Sequence, residues 1–143
     1  MLNVNLHFFM IIGLAVAASM ALCAFWYSPK VFGNTWQKLA GVKNASDKDC
    51  RKMMLFTAVA KAAMATTLLM VITWAGGSIV STKGGIAVGL LMGFGFSCMS
   101  LLTSSIWENK PPKLFVITAT NQLASLALMG AIIGHLSKLW AGH

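Results

Sequence analysis

The chemistry in this sequence begins with a lysine where a lysine is costly. Lys61 lies inside the otherwise apolar stretch Met53–Trp74, eight positions beyond Met53. That is about 12 Å along a helix rising 1.5 Å per residue. At mid-membrane a lysine costs roughly 2.5–3.5 kcal/mol on insertion scales, and less toward the interface. A second polar group stands in a later apolar stretch, where Thr118, Asn121, Gln122 and Ser125 follow the i, i+3, i+4, i+7 spacing of one helix face. Counted inward from the same side, Ser19, Lys61, Ser100 and Asn121/Gln122 fall at equal depth and form a candidate polar layer. The layer has two readings. It is a site for a small anion or polar solute with Lys61 as its charge. Or Lys61 snorkels its ammonium toward the headgroups and the amide pair holds helices together, each contact worth about 0.6–2 kcal/mol.

Catalysis fits poorly. The acidic residues Asp47, Asp49 and Glu108 all lie between the apolar stretches, where they read as solvated or capping, and no His or Cys forms a catalytic pair with a base. His7, His135 and His143 are scattered, and Cys23, Cys50 and Cys98 lack metal-ligand spacing. The cysteines read as thiols, with no metal, no cofactor and no enzyme activity expected. Proton-driven export of cations would need an acid inside the membrane, and the apolar stretches hold none.

The elements that must position these residues are membrane spans. The 143 residues are 57% hydrophobic and 10% charged, with a mean hydropathy of +0.75, whereas soluble domains carry roughly 25% charged residues. Eleven Lys+Arg against three Asp+Glu give a formal charge of +8. The basic residues flank apolar runs, so anionic lipid headgroups rather than nucleic acid are the expected counter-charge. A transmembrane helix needs about 20 apolar residues, and 6–26, 53–74, 86–107 and 114–136 qualify. The sequence predicts one all-α domain over 1–143, four transmembrane helices in two sequential hairpins. Trp26, Trp74, Trp107 and Trp140 fall at or just past the span ends, where indole prefers the interface. The first span lacks the basic start of a signal peptide and reads as retained.

Lys30, Lys38, Lys43, Lys48, Arg51 and Lys52 in the first loop join Lys110 and Lys113 in the third, against Lys83 and Lys138 on the other side. That asymmetry predicts cytoplasmic first and third loops and both termini outside. In the first loop Ser28-Pro29 reads as an N-cap with proline at the first helical position. Phe32, Trp36 and Leu39 then recur at helical spacing before Gly41, predicting a short amphipathic interfacial helix. Ser46-Asp47-Lys48-Asp49 resembles a capping box opening the second span, and Asn44-Ala45-Ser46 is a chance glycosylation match. Trp26 through Phe32 and Trp107 through Phe115 share Trp followed by Pro-Lys-apolar-Phe, either a parallel repeat or the common demands of ending one span and starting a helix. Small residues recur every fourth position at Gly85, Gly89 and Gly93, continued by Ser97, Ser100 and Ser104. Gly13, Ala17 and Ala21 repeat the pattern, as do Gly130 and Gly134. Such faces predict close helix packing, within the chain or between copies.

The segment Phe25-Trp26-Tyr27-Ser28-Pro29-Lys30-Val31-Phe32-Gly33-Asn34-Thr35-Trp36 resembles the opening signature of a bacterial membrane family, domain of unknown function 1761. Gly89, Gly93, Gly95 and Phe96, the stretch Lys113-Leu114-Phe115-Val116-Ile117, and Met129-Gly130-Ala131-Ile132-Ile133-Gly134 resemble it too. The resemblance spans nearly the whole chain and implies a four-helix protein of a bacterial inner membrane, without supplying an activity. Many members of that family carry Tyr-His where this chain has Asn121-Gln122, so the resemblance brings no role built on an ionisable histidine there. Three roles remain open: passage of an anionic or polar solute, packing against a membrane partner or a second copy, and binding of anionic lipid.

Overall fold

The computed structural model describes residues 2–41 and 47–142. The chain is all-α: α1 (Leu2–Trp26), α2 (Gly33–Ala40), α3 (Asp47–Ala75), α4 (Thr82–Met92), α5 (Met99–Trp107) and α6 (Pro112–Ala141). Four stretches are long and apolar enough to cross a membrane: Leu6–Trp26, Lys48–Ala75, Thr82–Trp107 and Pro112–Ala141. The third span is α4 and α5 joined by a π turn over Gly93–Cys98. Lys43, the Asn44-Ala45-Ser46 triplet and the Ser46 of the expected capping box lie outside the described residues, as does His143.

Local chemistry explains the ends. Pro111 is extended (ψ 137°) and Pro112 starts α6, at a position whose N–H no helical carbonyl would accept. Ser81 caps α4 by accepting from the Gly84 amide at 3.1 Å. Gly41, at φ +65°, closes α2 where an L side chain would be strained. Ser28 does not cap α2, which begins at Gly33. Its carbonyl instead accepts the amides of Val31 (3.1 Å) and Gly33 (2.9 Å) in a tight turn.

Helix α6 is the hub. Its Gly130 and Gly134 interlock with Gly85 and Gly89 of α4, so closely that a Cβ at Gly85 would strike the Gly130 carbonyl and one at Gly134 the Ser81 carbonyl. Helix α1 packs on another side of α6, and α3 packs on α1 and α6 and more lightly on α4. The core of Ile11, Ala15, Ala65, Leu68, Leu69, Ile72, Leu126, Met129 and Ile133 lies toward the end carrying the α3–α4 turn. At the other end, where α2 lies, packing loosens: α3 is exposed from Lys48 to Ala60 apart from half-buried Ala58, and its buried stripe begins at Lys61.

Two of the expected small-residue faces differ. Gly13 has no neighbour within 4 Å of a would-be Cβ, and Ala17 and Ala21 are exposed. The face that α1 buries is instead Ile11, Ala15 and Ser19, with Ile11 and Ala15 in the same core cluster as Met129 and Ile133. On the third span, Gly85, Gly89 and Gly93 are buried, but Ser97 is half-buried and Ser100 and Ser104 are exposed. The π turn takes one more residue than an α turn, so the stripe rotates. Cys98 faces α6 instead, its thiol 3.8 Å from the Ala119 carbonyl. The two Trp-Pro segments also differ in use: Trp107 is 85% exposed, whereas Trp26 is half-buried and hydrogen-bonded.

Replacing Gly85 or Gly130 with leucine should therefore destabilise the chain by about 1–3 kcal/mol or more. Gly13→Leu and Gly95→Leu, at positions with nothing within 4 Å, should be near neutral. Detergent-denaturation midpoints of the four variants check the ordering.

Candidate functional site

Lys61 is 5% exposed, and its Nζ donates to Gln122 Oε1 at 3.0 Å. The side chain runs inward to α6 and does not snorkel. Asn121, 4% exposed, faces α1: its amide nitrogen lies 3.5 Å from the Tyr27 hydroxyl and 3.6 Å from Cys23 Sγ. Cys23 Sγ is also 3.9 Å from the hydroxyl of wholly buried Ser125. The Tyr27 hydroxyl meets Thr118, whose own proton goes to the Leu114 carbonyl at 3.0 Å. The α6 stripe thus divides its partners, Gln122 to α3, Asn121 and Ser125 to Cys23 of α1, and Thr118 to Tyr27 just past the end of α1.

Of the residues expected in the layer, the structure brings Ser19, Lys61, Asn121 and Gln122 into the bundle and leaves Ser100 on the surface. Cys23 and Tyr27 join it unannounced by the sequence. Cys23 was findable, since it stands one helical turn from Ser19 on the same α1 face.

Ser19 stands apart. Several threonine hydroxyls on the spans are satisfied by their own helix: Thr57 bonds Met53 O, Thr66 bonds Ala62 O, Thr67 bonds Ala63 O and Thr120 bonds Val116 O. Ser19 and, far from the layer on α6, Ser137 instead have buried hydroxyls with no partner. Ser19 is 0% exposed and its Oγ has no hydrogen-bond partner. A buried polar atom without a partner costs on the order of 1–3 kcal/mol.

Beneath the layer the Trp26-Tyr27-Ser28-Pro29 element ties three helices together. Trp26 Nε1 donates to the Ile117 carbonyl of α6 at 3.2 Å, and its ring meets Phe32 at 5.1 Å. Tyr27 packs edge-on against Trp36 of α2 at 5.3 Å. Phe32 N returns to the Trp26 carbonyl and Asn34 Nδ2 to the Pro29 carbonyl. A Cβ at Gly33 would strike the Tyr27 carbonyl, so the turn can fold this tightly only over glycine. Trp36 is half-buried; Trp74 and Trp140 are 86% and 40% exposed at the span ends.

Two crevices flank the layer. One, of about 240 Å³, lies between α3, the π turn and Leu126. The other, of about 260 Å³, lies between α2, α5 and the start of α6, with Lys110 and Thr118 in its wall. At its rim Lys110 meets Glu108 at 2.6 Å and Ser104 donates to the same carboxylate. These contacts hold the Glu108 carboxyl below the usual glutamate range.

Fold and site together define a four-span, all-α membrane architecture with a polar layer buried around one lysine. The chain belongs to the family described as "Protein of unknown function (DUF1761)", whose model matches residues 10–134 and includes the Trp-Tyr-Ser-Pro latch. No curated protein and no solved structure matches the chain.

Gln122→Leu, which leaves the Lys61 ammonium buried without its acceptor, should cost about 1–3 kcal/mol. Adding Lys61→Met should recover most of it, since an apolar replacement of both partners is close to neutral; denaturation midpoints of the single and double variants measure the difference. Glu108 should titrate below an ordinary glutamate by NMR, and Lys110→Met should raise its midpoint. Because its folded-state pKa is depressed, its contribution to the α5–α6 loop is present above the unfolded value and fades as pH falls through the folded one.

Proposed function

We propose that this protein binds a small anionic or polar solute in the polar layer and passes it across the membrane. The observation that carries this reading is Lys61. Its side chain is 5% exposed, bonds Gln122, and has no carboxylate partner among the described residues. Burying an ammonium costs several kcal/mol unless it is paired, and an ionisable residue kept inside a span marks a site. An anion would complete the charge, and the unpartnered Ser19 hydroxyl supplies a further donor in the same layer.

The basic first and third loops support an orientation with those loops in the cytoplasm and both termini outside, in a bacterial inner membrane. The reading is of binding and passage rather than catalysis. A second reading, an accessory subunit that packs on a partner, a second copy or anionic lipid, draws on α3. Its Met53, Met54, Leu55, Phe56 and Val59 are all exposed, Phe56 at 73%, beside the basic Lys48, Arg51 and Lys52.

Single cysteines at Ser19, Lys61, Asn121 and Gln122, in a chain whose native cysteines are replaced, should react with a charged thiol reagent added from the cytoplasmic side of intact membranes. A small carboxylate should protect the Ser19, Asn121 and Gln122 cysteines, which keep Lys61, and should not protect the cysteine placed at Lys61. If all four stay unlabelled while Lys110→Cys reacts, the layer is dry and the accessory role replaces transport.

A further inference from the structure

The surroundings of Lys61 say more about the occupant than its charge does. On α3, Lys61 is followed one turn on by Met64 and two turns on by Leu68; on α6, Gln122 is followed one turn on by Leu126. Met64, Leu68 and Leu126 line the crevice of about 240 Å³ whose opposite wall is the π turn, with Met92 and Phe96. The crevice therefore starts about one helical turn, roughly 5.4 Å, beyond the Lys61–Gln122 pair and runs toward the α3–α4 end. Its wall is apolar except for Ser97 and Thr67, and the Thr67 hydroxyl is taken by the Ala63 carbonyl. Ala63, Thr67 and Phe96 are exposed, so the crevice opens sideways, toward where lipid would lie. On the other side of the buried Lys61, α3 is exposed from Lys48 to Ala60 apart from half-buried Ala58.

A hydrated inorganic anion would use the lysine and leave an apolar slot beside it empty. The volume lies below the roughly 300–1,000 Å³ of sites built for compact drug-sized ligands, and its narrow, side-opening form suits one flexible chain. From these observations, and resting on the anion-binding reading of Lys61, we propose that the occupant is a single-chain anionic amphiphile. Its carboxylate sits on Lys61, and its tail lies in the crevice between α3 and the π turn. With the α2 end cytoplasmic, the head points toward the cytoplasm about 12 Å inside the span and the tail runs from there to the midplane and beyond. The step is binding only; no bond is made or broken.

The test uses the full chain in phosphatidylcholine vesicles, with a spin-labelled stearate and a spin-labelled quaternary alkylammonium of equal chain length as probes. The stearate should show a motionally restricted component, displaced by unlabelled stearate, and the alkylammonium should not. Lys61→Met should weaken stearate binding at least about tenfold, equivalent to about 1.4 kcal/mol, and Lys61→Arg should retain it. Ala63→Trp, at an exposed crevice position, should fill the slot and abolish stearate binding without disturbing the core. Equal restriction of both probes, or Lys61→Met binding stearate as the native chain does, overturns the proposal. If acetate protects Gln122→Cys from the charged thiol reagent while stearate shows no Lys61-dependent restriction, the solute site stands and the amphiphile is refuted. If the layer is dry and stearate is also unrestricted, both readings fall.

Discussion

Everything else in this fold depends on how closely α4 and α6 approach. In lipid, water gives helices no hydrophobic reason to associate, so packing must come from close contact. Gly85, Gly89, Gly130 and Gly134 let two backbones touch where any side chain would intervene. This contact locks the rotation of α6, and α6 carries the polar stripe. Once Gly130 and Gly134 face α4, Asn121 and Ser125 must face α1, and Gln122 must face α3. The positions of the polar groups follow from a contact made by residues with no chemistry of their own.

The same contact makes the bundle asymmetric. Toward the α3–α4 turn, glycine interlock and a packed aliphatic core hold the helices together. Toward α2 the helices part, and α3 has little beside it before Lys61. The lysine stands at the junction, the last polar residue before the packed region. A buried charge in a tight core would be paid for in full, and one in open lipid would snorkel. At this boundary it finds an amide acceptor on α6 and space beside it. The unpartnered hydroxyl of Ser19 sits in the same layer, so the polar capacity of the layer exceeds what the protein itself uses.

The looser end is fastened by the Trp-Tyr-Ser-Pro element. Trp26 reaches the backbone of α6, and Tyr27 touches both the polar layer through Asn121 and the short helix α2 through Trp36. That couples the surface helix to the interior by one residue. Tyr27 thus belongs to both the latch and the polar layer.

Much of this was legible in the sequence. The four spans follow from apolar length, because crossing hydrocarbon demands an unbroken run of about 20 residues. Lys61, Asn121 and Gln122 stood out as polar residues among apolar ones, and Gly41 marked the end of α2. The glycines of α4 and α6 declared a packing face by their spacing, but spacing could not say that each would be the other's partner, or that Gly13 would have none. Ser28-Pro29 looked like a cap because those residues also build tight turns, and only the contacts of Trp26 and Gly33 choose between the two. Ser100 has the expected depth but the wrong facing, because the π turn over Gly93–Cys98 rotates the residues after it relative to Gly85 and Gly89. The sequence by itself determined which residues enter the bilayer and how deep they lie, since both depend on local hydrophobicity and a constant rise per residue. Only the tertiary structure decided which way they face, because rotation about a helix axis is set by the neighbour it packs against.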